Sequence, residues 1–148
     1  VYLVDTNVLS AAAPTKAIPA DDLIAWMHRN SASLHLSVIT IAEIEDGIAK
    51  CRRDGASRKA ARLSDWLETL LHLYSAQILP IDLEIARCIG RLSDVARREG
   101  HAPGMADLAI GATALCRGWT ILTRNVRHFR PLGLAAHDPH DTLPADIA

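Results

Sequence analysis

Asp5, Glu43, Asp107 and Asn125 are the oxygen-bearing side chains that stand where an alternating strand–helix chain would place its chemistry. Asp5 closes the apolar run Tyr2-Leu-Val, which reads as a short buried strand. Glu43 lies about one helical turn after the run Leu34 to Ile39. Asp107 is in the first turn of an apolar helix, and Asn125 comes just after Thr120-Ile-Leu-Thr123. Ligands of an open parallel sheet collect beyond the carboxyl ends of its strands. If these strands are neighbours, the side chains converge on one rim.

Each of them also has a purely structural reading. Asp5, followed by Thr6 and Asn7, fits an Asx-turn or a helix cap. Glu43 lies three residues after Thr40, the spacing of a capping box. Asp107 suits a helix start through the helix dipole, and Asn125 suits a turn. Taken together they carry something more. Three acids in one cleft repel one another unless a cation neutralises them. No His or Cys stands beside them at metal-ligand spacing. An all-oxygen donor set is the preference of Mg²⁺ or Mn²⁺ rather than Zn²⁺. Such an ion, held by one or two carboxylates and a substrate phosphate, suits phosphodiester hydrolysis.

The elements that must position these groups follow from periodicity and punctuation. After the first strand, Thr6 to Ala12 starts a helix that Pro14 and Pro19 break. Asp21 or Asp22 is expected to cap a helix reaching about His28. Leu34 to Ile39 reads as a strand, and Thr40 as the start of a helix to about Arg53. Gly55 separates this from a helix over Ser57 to Leu73, with Ala60, Leu63, Leu67, Leu70 and Leu71 at helical spacing. Ile78 to Ile81 is a short strand, with Pro80 tolerable only near an edge or an end. Asp82 caps a helix to about Glu99, and another covers Met105 to Cys116 until Gly118. Thr120 to Thr123 and Leu134 to His137 are the remaining strands. This alternation predicts one α/β domain over residues 1–148, a parallel sheet covered by helices on both faces, with 139–148 a loose tail. Strand order is not readable from the chain.

Composition narrows the partners. The net charge is -1, with 49% hydrophobic and 22% charged residues, an ordinary globular balance. The charge is unevenly spread. No Asp or Glu occurs between Leu108 and His137, where Arg117, Arg124, Arg127 and Arg130 fall. Lys50, Arg52, Arg53, Arg58, Lys59 and Arg62 form a second basic run against Asp54 alone. Two such runs fit nucleic acid, and each alone also fits a solvated helix face. Cys51, Cys88 and Cys116 are odd in number and widely spaced, against a disulfide framework or zinc knuckle and in keeping with the cytoplasm. No apolar stretch approaches the roughly 20 residues of a membrane span.

Four segments together carry a family resemblance: Val4-Asp-Thr-Asn-Val-Leu-Ser10, Ile39-Thr-Ile-Ala-Glu-Ile44, Asp107-Leu-Ala-Ile-Gly-Ala-Thr-Ala114 and Leu122-Thr-Arg-Asn-Val-Arg-His-Phe129. In this order the chain resembles the PIN-domain ribonucleases, most closely the VapC-type toxins of bacterial toxin–antitoxin pairs. The resemblance implies a three-layer α/β fold, a mainly parallel sheet of about five strands between helices. It implies Mg²⁺ or Mn²⁺ as cofactor and single-stranded or looped RNA as substrate. On this likeness Asp5 and Asp107 bind the metal directly, and Glu43 binds metal or orients the attacking water. Asn125 stands where many members carry an acid, leaving three carboxylates here. Thr6, Asn7 and Thr123 would hold the carboxylates by hydrogen bonds, and Arg124, Arg127 and Arg130 would grip RNA phosphates. The resemblance further implies a homodimer and a small cognate antitoxin whose tail lies in a groove by the site. The helical stretch Ala49 to Leu73 is our candidate for part of that surface, while a core-facing stripe is the plainer role for its leucines.

Two other readings compete. A domain of this type that has lost catalysis would bind RNA or a partner without cutting; an acidic pocket gives such a binder nothing. A phosphotransfer hydrolase of the haloacid dehalogenase type also places an Asp nucleophile after its first strand, as Asp5 would be. That chemistry needs a second Asp two residues on, where this chain has Asn7.

Overall fold

The computed structural model describes residues 1–147. Its strands are β1 (Tyr2–Val4), β2 (Leu34–Ser37), β3 (Ile78–Leu79), β4 (Thr120–Leu122) and β5 (Ala136–His137). Its helices are α1 (Thr6–Ala11), α2 (Asp21–Arg29), α3 (Val38–Arg53), α4 (Ser57–Leu73), α5 (Leu83–Arg98), α6 (Met105–Arg117) and α7 (Val126–Phe129). The strands form one sheet in the order β3-β2-β1-β4-β5, with every pairing parallel. The chain therefore builds outward from β1 on one side and then on the other. The seam between β1 and β4 is the point where the order reverses, and there a crevice opens at the strands' carboxyl ends.

The two-residue period of a strand divides the core between the sheet's faces. On β1, Leu3 points to the layer of α5 and α6, where Ile85, Cys88, Leu92, Ile110, Ile121 and Phe129 are buried. Val4 points the other way, into a cluster with Trp26, Leu36, Ile48, Leu67 and Leu122 under α1 to α4. Both clusters are closed to water, which is why the central strands read as continuous apolar runs. In α6 the residues from Leu108 to Ala114 are all buried. Small side chains permit this: a Cβ on Gly111 would stand 2.8 Å from Leu134 Cδ1 and 3.1 Å from Leu92 Cδ2. Gly118, at φ 68°, takes the left-handed conformation that ends α6 and turns the chain into β4.

Several boundaries differ from the expectations. Strand β2 stops at Ser37, whose side chain accepts from the Ile39 N–H at 3.1 Å and caps α3. Thr40 is thus inside the helix and buried, so the capping box with Glu43 does not exist. Helix α2 begins at Asp21 with Ala20 at its cap, leaving Asp21 and Asp22 in the first turn to act on the helix dipole rather than as caps. Pro80 confines β3 to Ile78–Leu79, since it has no N–H for the ladder. The segment after β5 has no helix or strand among the described residues, yet it is not detached. The buried Asn30 donates to Asp146 at 2.9 Å and accepts from the Ile147 N–H at 2.7 Å. Among the described residues no helix is long and apolar enough to cross a membrane.

Candidate active site

Asp5 is placed by the end of β1 and the start of α1. Its N–H bonds to the Leu122 carbonyl at 2.9 Å, continuing the β1–β4 pairing, and its carbonyl accepts from Val8 and Leu9. Oδ1 accepts from the Thr6 N–H at 2.8 Å, so Asp5 does cap α1. The cap reading and the site reading coexist, because the second oxygen is engaged elsewhere: the Thr123 hydroxyl donates to Oδ2 at 2.7 Å. Thr123 Oγ1 in turn accepts from the Asn125 N–H at 3.0 Å and from Asn7 Nδ2 at 3.4 Å. Asn7 Oδ1 accepts from the Arg124 N–H at 3.1 Å. These bonds tie the first turn of α1 to the turn after β4. Asn7 serves as an amide strut between those turns, where the dehalogenase chemistry would need an acid.

Glu43 reaches the same rim from the second turn of α3. The Thr6 hydroxyl donates to its Oε1 at 2.6 Å and lies 3.2 Å from the Thr40 hydroxyl. An ionised carboxylate only accepts. The single Thr6 proton therefore goes to Glu43, and Thr40 supplies its own proton to Thr6. Residues 6, 40 and 43 form a directed chain that holds an exposed carboxylate in place.

Asp107, in the first turn of α6, is three-quarters buried, and its Oδ2 lies 3.0 Å from His128 Nδ1 on α7. Asn125 stands at the N-cap of α7 without capping it through its side chain. Arg127 and His128 line a hollow with Asp107, His101 and Pro103. Arg124 is exposed, and Arg130 donates to the Ala136 carbonyl at 3.2 Å, so part of its guanidinium serves β5. Two residues of the site, His128 and Thr40, are missed by sequence reasoning. Thr40 is legible as a hydroxyl beside Glu43, but its spacing points to a cap. His128 meets Asp107 across 21 positions of chain, a pairing that only the packing of α7 on α6 reveals.

The electrostatics are unfavourable to Asp5 as it stands. Burial raises its pKa above the ordinary value, and the carboxylates of Asp107 and Glu43 raise it further. Its bonds with Thr123 and Thr6 oppose this without cancelling it. Asp5 is only 5% exposed and none of the ion pairs among the described residues involves it. Among the described residues no three Asp, Glu, His or Cys side chains gather closely enough to cage a metal alone. Mg²⁺ does not require that: it keeps several waters and takes one or two carboxylates plus substrate phosphate. The oxygens a hard cation could use here are those of Asp5, Glu43 and Asp107. A buried carboxylate in the field of two others, with no cationic partner, fits that donor set.

A second groove, beside Thr6 and Glu43, is bounded by α1 and the segment after it, α3 and α4. Ser10, Lys16, Gly47, Lys59, Leu63 and Trp66 line it. Of its lining, Cys51, Lys59, Leu63 and Trp66 fall within Ala49 to Leu73, the candidate stretch for a partner surface. Arg62 braces it by donating to the Pro14 carbonyl at 2.6 Å.

Comparison with known proteins agrees with this fold. The model of the PIN domain matches residues 2–132. A VapC ribonuclease of Sinorhizobium fredii is 32% identical over 139 residues, covering 93% of this chain and 96% of the relative. Toxin FitB of Neisseria gonorrhoeae is 32% identical over 142 residues, covering 94% of this chain and 99% of the relative. The FitAcB crystal structure from the same organism superposes with a TM-score of 0.82 at 30% identity, over 95% of this chain and 99% of the other. On the match over residues 2–132 and the parallel five-stranded sheet, the chain belongs to the PIN-domain family, among the VapC and FitB toxins.

Proposed function

We propose that this chain is a divalent-metal-dependent endoribonuclease, the toxin of a toxin–antitoxin pair. The observation that carries the proposal is Asp5: a buried carboxylate, facing the fields of Asp107 and Glu43, with no cationic side chain beside it. A fold tolerates that arrangement when a cation completes it. Asp5 and Asp107 would hold Mg²⁺ or Mn²⁺, with Glu43 beside them. The bound ion supplies stabilisation of charge on the phosphate and a lowered pKa for the attacking water.

The chain's own residues do the rest. Thr123 and the Thr6 N–H fix both oxygens of Asp5, so the carboxylate is oriented before substrate arrives. The Thr6 hydroxyl aims Glu43 across the rim, where it accepts a proton from a water or orients it. Arg124 and Arg127 stand exposed beside the acids and would take phosphate oxygens of the strand. The relatives named a ribonuclease and a toxin support RNA as substrate and a growth-arresting role. The groove of Lys16, Lys59, Leu63 and Trp66 would receive the tail of a small antitoxin, and a homodimer in the cytoplasm is the expected setting.

The proposal is tested in a bacterial host. Induced wild-type chain should arrest growth, and Asp5→Asn or Asp107→Asn chain at equal soluble level should not. Arrest by all three alike would refute the assignment of these acids.

A further inference from the structure

His128 is delivered to Asp107 by a fixed backbone. Its neighbour Phe129 is fully buried in the layer of α5 and α6, which anchors the single turn of α7. The contact joins Nδ1 of His128 to Oδ2 of Asp107 at 3.0 Å. A carboxylate in its ionised form has no proton to give, so Nδ1 carries the hydrogen and donates it. Oδ2 of Asp107 is therefore engaged, and Oδ1 accepts no hydrogen bond among the described residues. The His128 side chain is 40% exposed and that of Asp107 25%. In such a setting the pair gains little stability by itself. What it fixes is the orientation of one carboxylate at the site, as outer partners of ligating carboxylates do elsewhere.

We propose that His128 is a positioning residue: through Nδ1–H it fixes the Asp107 carboxylate so that Oδ1 faces the divalent cation. The inference rests on the reading of Asp107 as a ligand of that cation. It adds a residue outside the acidic set and gives it one defined atom and one defined bond.

The substitutions that separate this from a surface role follow from atom positions. In an asparagine the amide nitrogen is bonded to Cγ, as Nδ1 is in a histidine, so the His128→Asn variant can donate from the same place. In a glutamine the amide lies one carbon further out. The test is a titration of the full chain with Mn²⁺, following free ion by electron paramagnetic resonance. His128→Ala should weaken binding by about 10- to 100-fold, and His128→Gln similarly, while His128→Asn stays within about threefold of wild type. Cleavage of a short RNA should follow the same order in kcat, with KM little changed. Thermal melts establish that each variant is folded; should His128→Ala fail to fold, the Asn and Gln pair decides alone.

His128→Ala binding Mn²⁺ as wild type does, with Asp107→Asn weakened, would overturn the proposal and leave the metal reading standing. Tighter binding by His128→Ala would also overturn it, since His128 would then occupy the cation's place. Unchanged binding by Asp107→Asn would remove the reading of Asp107 as a ligand and the proposal with it.

Discussion

The Thr123 hydroxyl donates to Asp5 Oδ2 at 2.7 Å across the seam between β1 and β4. The β1–β4 register, Val4 opposite Leu122, puts these two residues at the same level just beyond the strands. Since this bond favours the ionised form of Asp5, Thr123→Val should raise the Asp5 pKa further. The acid limb of the pH–rate profile should move to higher pH, and cleavage should fall by about 10- to 100-fold. Thr123→Ser keeps the donor and should restore both. A pH–rate profile of the two variants checks this; an unmoved acid limb in Thr123→Val would contradict it.

Thr6 has the same relation to Glu43, at 2.6 Å. Thr6→Val removes the donor while keeping the size of the side chain and the Asp5 cap on the backbone N–H of residue 6. Two hydrogen bonds are lost, the one to Glu43 and the one from the buried Thr40, so the stability loss should be about 1–3 kcal/mol. Activity of the folded protein should fall by about tenfold. Thr6→Ser should recover it. Steady-state rates set beside chemical denaturation midpoints make the comparison.

Asp5 gives the metal-free protein a pH dependence of definite sign. Its folded pKa is raised above 3.8, so in that window the folded state binds the proton more tightly than the unfolded chain. Metal-free stability is therefore lost as pH rises from about 3.8 through the raised value. Asp5→Asn lacks this contribution. In EDTA, the melting temperature of Asp5→Asn minus that of wild type should grow as pH rises from about 3.8 through the raised value and be level above it, by about 2–4 °C per kcal/mol. Added Mg²⁺ should then stabilise wild type and not the variant. A difference that stays constant with pH would contradict the burial argument.

Two helical glycines predict opposite outcomes. A Cβ at Gly90 on α5 meets nothing within 4 Å, so Gly90→Ala should stabilise by up to about 1 kcal/mol through helix propensity. At Gly111 a Cβ meets Leu134 and Leu92 at 2.8 and 3.1 Å inside a filled core. There overpacking, about 1–3 kcal/mol, should outweigh the propensity gain. Thermal melts of the two variants read the signs directly.

Much of the fold is legible in the sequence because strands covered on both faces show as apolar runs and helices as spaced leucines. Asp5, Thr6, Asn7 and Thr123 are legible as a set because they fall where β1 passes into α1 and just after β4 ends. Strand order is not, since hydrophobic period says which face a residue takes and nothing about which strand lies beside it. The placing of β1 between β2 and β4 is what turns separate acids into a rim. Thr40 misleads for a local reason: Ser37 and Thr40 are both competent caps, and the β-branched Val38 and Ile39 between them suit a strand as well as a helix. His128 and Asn30 act through contacts 21 and more than 100 positions away, which no local pattern encodes.

The central claim is that the rim of Asp5, Glu43 and Asp107 cuts RNA with the help of a divalent cation. The most direct measurement is incubation of the purified chain, freed of any partner, with total bacterial RNA in EDTA, Mg²⁺ or Mn²⁺, beside folded Asp5→Asn protein. Discrete fragments with wild type and metal, and none in EDTA or with Asp5→Asn, are the predicted result. Intact RNA under every metal, or equal fragments from Asp5→Asn, would contradict it.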